Sequence, residues 1–125
     1  MTALAARVLV VDDNQLNLDL VRYVLEAGGF VVDEAPNVVQ AWARLLAVRP
    51  AIVLVDIQLP GTDGLTLVRA LKATPGLSDV PCIAFTAYAM QGDEQRFRAA
   101  GCDGYLAKPI DVHSVAASVR SYLVT

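Results

Sequence analysis

The chain sets its most reactive side chains at the ends of apolar runs. Arg7-Val8-Leu9-Val10-Val11 stops on Asp12-Asp13, Ile52-Val53-Leu54-Val55 on Asp56, Cys82-Ile83-Ala84-Phe85 on Thr86, and Gly104-Tyr105-Leu106-Ala107 on Lys108. Short continuous apolar runs read as strands buried on both faces, the mark of a parallel sheet. Parallel strands bring their carboxyl ends to one edge, where ligands of open α/β sheets bind. That edge is therefore expected to hold three carboxylates, a hydroxyl and an ammonium.

Three close carboxylates repel one another, and without a cation at least one is pushed toward its protonated form. An all-oxygen acidic set suits a hard divalent ion. Mg²⁺ is the natural candidate, with Mn²⁺ as another such ion, because it accepts one or two carboxylates and completes its shell with water and phosphate oxygen. Lys108 and Thr86 then become donors to an anion beside the metal. These are the parts of a phosphoryl-transfer site, and Asp56, at the centre of the set, is best placed to attack phosphorus. Taken singly, each residue has a plainer reading. Asp12-Asp13-Asn14 could cap a helix, Asp56 a turn, Thr86 could be a loop hydroxyl and Lys108 a solvated charge before a proline. Their recurrence at matched strand ends favours the chemical reading.

Helices are needed between these strands. Asn14 starts one whose apolar face is read as Leu16, Leu20 and Val24 with Val21 and Leu25, and Gly28-Gly29 ends it. Phe30 to Ala35 reads as a shorter strand. Pro36-Asn37 caps a helix burying Val38, Ala41, Trp42 and Leu45, and Pro50 closes that segment. Pro60-Gly61 and Asp63-Gly64 mark a loop above Asp56, followed by a helix with Leu65, Val68 and Leu71 inward. Thr74 to Pro81 is a surface connection. Gln91 to Arg96 opens a mostly solvated helix that ends at Gly101. The last helix has Asp111 near its start and a stripe of Val112, Val115, Ala116, Val119 and Leu123. Five strands alternating with five helices imply right-handed βαβ crossovers and a three-layer αβα sandwich, a doubly wound (βα)5 domain covering residues 1–125.

Composition narrows the function classes. The 55% hydrophobic and 18% charged content suits a packed globule rather than a disordered tail. A net charge of −3 argues against direct nucleic-acid binding. No uncharged apolar stretch approaches the roughly 20 residues of a membrane span, so no membrane insertion is expected. The amino terminus lacks the charge order of a signal peptide, which makes a cytoplasmic setting the default expectation. Cys82 and Cys102 read as two reduced, buried thiols, and His113 as a surface residue.

The combination Val10-Val11-Asp12-Asp13-Asn14, Val55-Asp56 with Leu59-Pro60 and Asp63-Gly64, Thr86-Ala87 and Lys108-Pro109 resembles the response-regulator receiver domain of the CheY-like superfamily. Thr86 to Met90 with Gly92-Asp93-Glu94, and Gly101 to Tyr105, are further similar to single-domain receivers of the DivK type and to receivers of hybrid kinases. The resemblance implies a flavodoxin-like strand order 2-1-3-4-5. It also implies a two-component phosphorelay module in which Asp56 takes a phosphoryl group from a sensor histidine kinase or a histidine phosphotransfer protein. On this resemblance Asp13 and Asp56 ligate Mg²⁺ directly with the backbone carbonyl of Gln58, and Asp12 acts through a metal-bound water. Lys108 pairs with the phosphoryl oxygens, Thr86 moves to hydrogen-bond them, and Tyr105 swings inward. The fourth helix, fifth strand and fifth helix would then present an altered face to a downstream protein. Gln58 and Tyr88 would tune the lifetime of the acyl phosphate.

Two other classes compete. An aspartate-nucleophile phosphatase also attacks with a strand-end carboxylate, yet it carries a general acid two residues on, where this chain has Gln58. A flavodoxin-like cofactor binder needs a phosphate loop after the first strand, where Asp12-Asp13 would repel the phosphate.

Overall fold

Alternation along each strand divides the core in two. The computed structural model describes residues 5–59, 61–86 and 93–123. Strands β1 (Arg7–Val11), β2 (Val31–Ala35), β3 (Ile52–Asp56), β6 (Cys82–Thr86) and β7 (Gly104–Ala107) form a parallel sheet in the order β2-β1-β3-β6-β7. Leu9, Val11, Val53, Val55, Cys82 and Ala84 face one core. Val8, Val10, Ile52, Leu54, Ile83 and Phe85 face the other. Both faces are therefore apolar, as an all-parallel sheet requires.

Helices α2 (Val38–Ala47), α3 (Gly64–Lys72) and α4 (Asp93–Ala100) supply buried residues to the first core. Helices α1 (Gln15–Ala27) and α5 (Val115–Leu123) supply the second. The chain passes from β1 outward to β2 and returns to β3 on the other side of β1. The order thus reverses between β1 and β3, the switch point at which α/β sheets open a ligand crevice. Among the five strands the order is the expected 2-1-3-4-5. The labels shift because β4 (Gln58–Leu59) and β5 (Thr62–Asp63) form a small antiparallel ladder in the segment read as loop. Two-residue strands leave no periodicity to read.

Two helical expectations and one strand boundary are corrected. The buried face of α1 is Leu18, Val21 and Leu25, whereas Leu16 and Leu20 are 78% and 39% exposed. Val21 and Leu25 are inward as expected, and Leu18 joins them in the core beside Val8, Val10 and Leu54, so packing against the sheet selects among residues of equal helical spacing. The Asn14 side chain caps the helix by accepting the Asn17 N–H at 3.2 Å. The α1 terminus is a Schellman turn: Phe30 N–H reaches the Leu25 carbonyl and Gly29 N–H the Glu26 carbonyl, with Gly29 at φ 94°. Phe30 is thereby spent on the turn, and β2 begins one residue later than expected. At the carboxyl end, α5 begins at Val115. The Asp111 side chain accepts the His113 N–H and its carbonyl those of Ser114 and Val115, so Val112 lies in the preceding turn, exposed and off the stripe.

Candidate functional site

The carboxyl edge of β1, β3, β6 and β7 gathers the side chains that the strand ends carry. Asp12 follows β1, its N–H bound to the Ala35 carbonyl. Asp56 closes β3. Both carboxylates are buried, at 4% exposure each, while Asp13 is exposed. One carboxylate oxygen from each of Asp12, Asp13 and Asp56 lies within 4.8 Å of the others. An acidic, all-oxygen set this close fits a hard divalent cation.

Lys108 sits directly after β7, anchored by its N–H on the Thr86 carbonyl at 2.8 Å. Its ammonium donates to Asp56 Oδ2 at 2.9 Å, lies 3.2 Å from Asp12 Oδ2, and stands 5.5 Å from the centre of the Phe85 ring. Asp56 Oδ1 accepts the Gln58 N–H at 2.9 Å. Burial raises Asp56 above the ordinary carboxylate value, against the lowering effects of Lys108 and the Gln58 N–H, with Asp12 adding repulsion. Burial pulls Lys108 down, but the hydrogen bond to Asp56 and the charge of Asp12 outweigh it, and its net shift is upward. The two directions agree: one ammonium shared by two carboxylates is held firmly as a cation, yet does not offset the desolvation of Asp56.

The backbone around Asp56 is fixed from behind. Asp63 caps α3 by accepting the Leu65 N–H, and Gly64 N–H binds the Ile57 carbonyl. A Cβ on Gly64 would stand 2.2 Å from the Asp56 carbonyl oxygen, so the helix can start there only without a side chain.

Thr86 is buried at the end of β6. Tyr105 pairs with Ala84, two residues earlier on that strand, and is half exposed. Its ring lies 6.0 Å from that of Phe97 on α4. The structure thus brings Asp12, Asp13, Asp56 and Lys108 into one cluster, with Thr86 and Tyr105 on the adjoining strands. Gln58 contributes its N–H beside Asp56. Tyr88 and Pro60 fall outside the described residues. A further contact was not anticipated: Asn17 Nδ2 donates to Asp12 Oδ2 at 3.3 Å. The only sequence signal for it is the three-residue step from the cap Asn14.

The profile of the response regulator receiver domain family matches residues 8–120. The chain belongs to that family. It is thus a receiver domain of the two-component response regulator type, a phosphoacceptor signalling module. The receiver is 41% identical over 116 residues to the polar-differentiation response regulator DivK of Brucella anthropi, covering 93% of this chain and 94% of that one. It is 30% identical to the solved receiver domain of the sensor histidine kinase PA1611 from Pseudomonas aeruginosa PAO1, which has a magnesium ion coordinated in its active site cleft. That match has a TM-score of 0.85 and covers 95% of this chain and 98% of the other. The signal receiver domain of a histidine kinase from Syntrophus aciditrophicus is similar at 28% identity and TM-score 0.85, covering 95% and 90%. Among the described residues, no helix of the receiver is long and apolar enough to cross a membrane.

Proposed function

We propose that residues 1–125 act as one receiver unit that accepts a phosphoryl group on Asp56. The observation that carries this reading is the buried Asp56 carboxylate paired with Lys108 at 2.9 Å inside the three-carboxylate cluster. The donor is a phosphohistidine on a sensor histidine kinase or a histidine phosphotransfer protein. An Asp56 carboxylate oxygen forms the new P–O bond, the P–N bond breaks, and its electron pair stays on the imidazole nitrogen. The carboxylate attacks as its anion, so the transfer itself removes no proton. Lys108 and the Gln58 N–H favour that anion against the effect of burial.

Asp12, Asp13 and Asp56, with the backbone carbonyl of Gln58, would hold Mg²⁺ or a similar ion such as Mn²⁺. When bound, such an ion neutralises charge on the phosphoryl oxygens. Lys108 then pairs with the transferred group, and the Thr86 hydroxyl moves to hydrogen-bond it. Tyr105 turns into the space vacated, and the face built from α4, β7 and α5 changes for a protein target. The module promotes its own phosphorylation and dephosphorylation but turns over no external substrate. The output assigned to it runs through protein contacts in the cytoplasm, without membrane insertion, and the acidic balance disfavours direct nucleic-acid binding.

Incubation with acetyl phosphate and Mg²⁺ tests the reading by intact mass. One phosphoryl increment should appear, and chelation of the divalent ion should prevent it. An unchanged mass with the ion present would overturn it.

A further inference from the structure

We infer that Asn17 is a positioning residue that holds the Asp12 carboxylate in the orientation a divalent cation needs; this rests on reading the Asp12, Asp13 and Asp56 cluster as a cation site. The start of α1 departs from the usual reciprocal cap. In a capping box the side chain three residues into the helix reaches back to the cap residue's own N–H. Here that N–H, on Asn14, goes to Asp12 Oδ1 at 2.9 Å. The Asn17 side chain reaches past the cap to Asp12 Oδ2 at 3.3 Å, while the Asn17 N–H binds the Asn14 side chain at 3.2 Å. The helix cap and the buried acid are one hydrogen-bonded unit.

Asp12 consequently has both oxygens engaged from the α1 side, Oδ1 by a main-chain donor and Oδ2 by an amide. Its remaining partner, Lys108 at 3.2 Å from Oδ2, is shared with Asp56. The Asn17 amide is uncharged and belongs to a helix. It therefore keeps its hold on Asp12 when the charge balance of the site changes and Lys108 turns to another anion. A carboxylate held by two α1-side donors presents a fixed plane to a cation, whereas without Asn17 its Oδ2 is left to Lys108, which Asp56 shares. Groups that orient metal ligands typically contribute about tenfold or more in metal affinity.

A purely structural role for Asn17 would instead lower the thermal midpoint of the metal-free protein in Asn17→Ala, whereas a positioning role leaves it in place. Alanine is the better helix former, so Asn17→Ala offsets the lost hydrogen bond with helix propensity. The thermal midpoint of the metal-free protein should hardly move.

The experiment is a Mn²⁺ titration of the full chain, with free ion counted by its EPR signal, on wild type, Asn17→Ala, Asp12→Asn and the double variant. Asn17→Ala should weaken binding about tenfold at an unchanged midpoint. In the Asp12→Asn background the same change should have no further effect, since the contact it removes acts through that carboxylate. Wild-type affinity in Asn17→Ala, or losses that multiply in the double variant, would overturn the inference and leave the cation site standing. Wild type that takes up no Mn²⁺ would overturn both.

Discussion

Lys108 and Asp56, 52 residues apart in the chain, meet at 2.9 Å across the carboxyl edge of the sheet. The same ammonium also lies 3.2 Å from Asp12, so a single cation serves two buried acids. Removing one partner of such a group leaves charge without compensation, which costs more than the pair itself contributes. Lys108→Met should therefore lower the stability of the metal-free protein at neutral pH, by about 1–3 kcal/mol. Urea unfolding with and without Mg²⁺ checks this, and the added ion should recover part of the loss.

The upward shifts of Asp56 and Lys108 have different consequences for stability. For Asp56 the folded protein binds more protons than the unfolded chain above the ordinary value of 3.8, so its contribution falls as pH rises through that window. Asp56→Asn should accordingly be more stable than wild type at neutral pH without metal, with the gap closing in acid. For Lys108 the contribution is fully present below 10.5 and is lost as pH rises through its raised folded value. Thermal midpoints measured across pH on wild type, Asp56→Asn and Lys108→Met separate the two.

Gly64 is constrained by a carbonyl rather than by a backbone angle. A methyl group there meets the Asp56 oxygen at 2.2 Å and the Ile57 Cα at 2.9 Å, both main-chain atoms that cannot turn aside. Gly64→Ala should cost about 2–3 kcal/mol and slow phosphorylation of Asp56 by displacing its backbone. Chemical denaturation and acetyl phosphate kinetics read the two effects on one variant.

Cys82 and Cys102 are free and buried in the same core, and burial pushes their thiols up to about 12 and about 11. Both stay protonated in the native protein at neutral pH, and protonated buried thiols react poorly. Iodoacetamide at mildly alkaline pH should leave the folded chain unmodified and label both residues once urea is added. Mass spectrometry distinguishes the two.

The strands and their endings were legible because a strand buried on both faces writes itself as an unbroken apolar run, as Ile52 to Val55 does, and its first polar residue then marks the edge. Acids, hydroxyl and lysine could be assigned to one edge from parallel pairing alone. The inward face of α1 could be read only in part: Val21 and Leu25 were legible, but Leu16, Leu18 and Leu20 all fit a helical period and only packing against the sheet selects Leu18 among them. The β4–β5 ladder was too short to carry a pattern. Val112 looked helical by spacing but is held in a turn by bonds to Asp111. The role of Asn17 is not legible because its partner lies outside the helix, and side-chain reach across a cap leaves no repeat in the sequence.

The most direct test of the phosphoacceptor role is to map the acyl phosphate. After treatment with acetyl phosphate and Mg²⁺, borohydride reduction converts an aspartyl phosphate to homoserine, and peptide sequencing by mass spectrometry locates it. Homoserine should appear at position 56 in wild type and nowhere in Asp56→Asn. Reduction at Asp12 or Asp13 in the wild type, or a phosphoryl increment that persists in Asp56→Asn, would contradict the assignment.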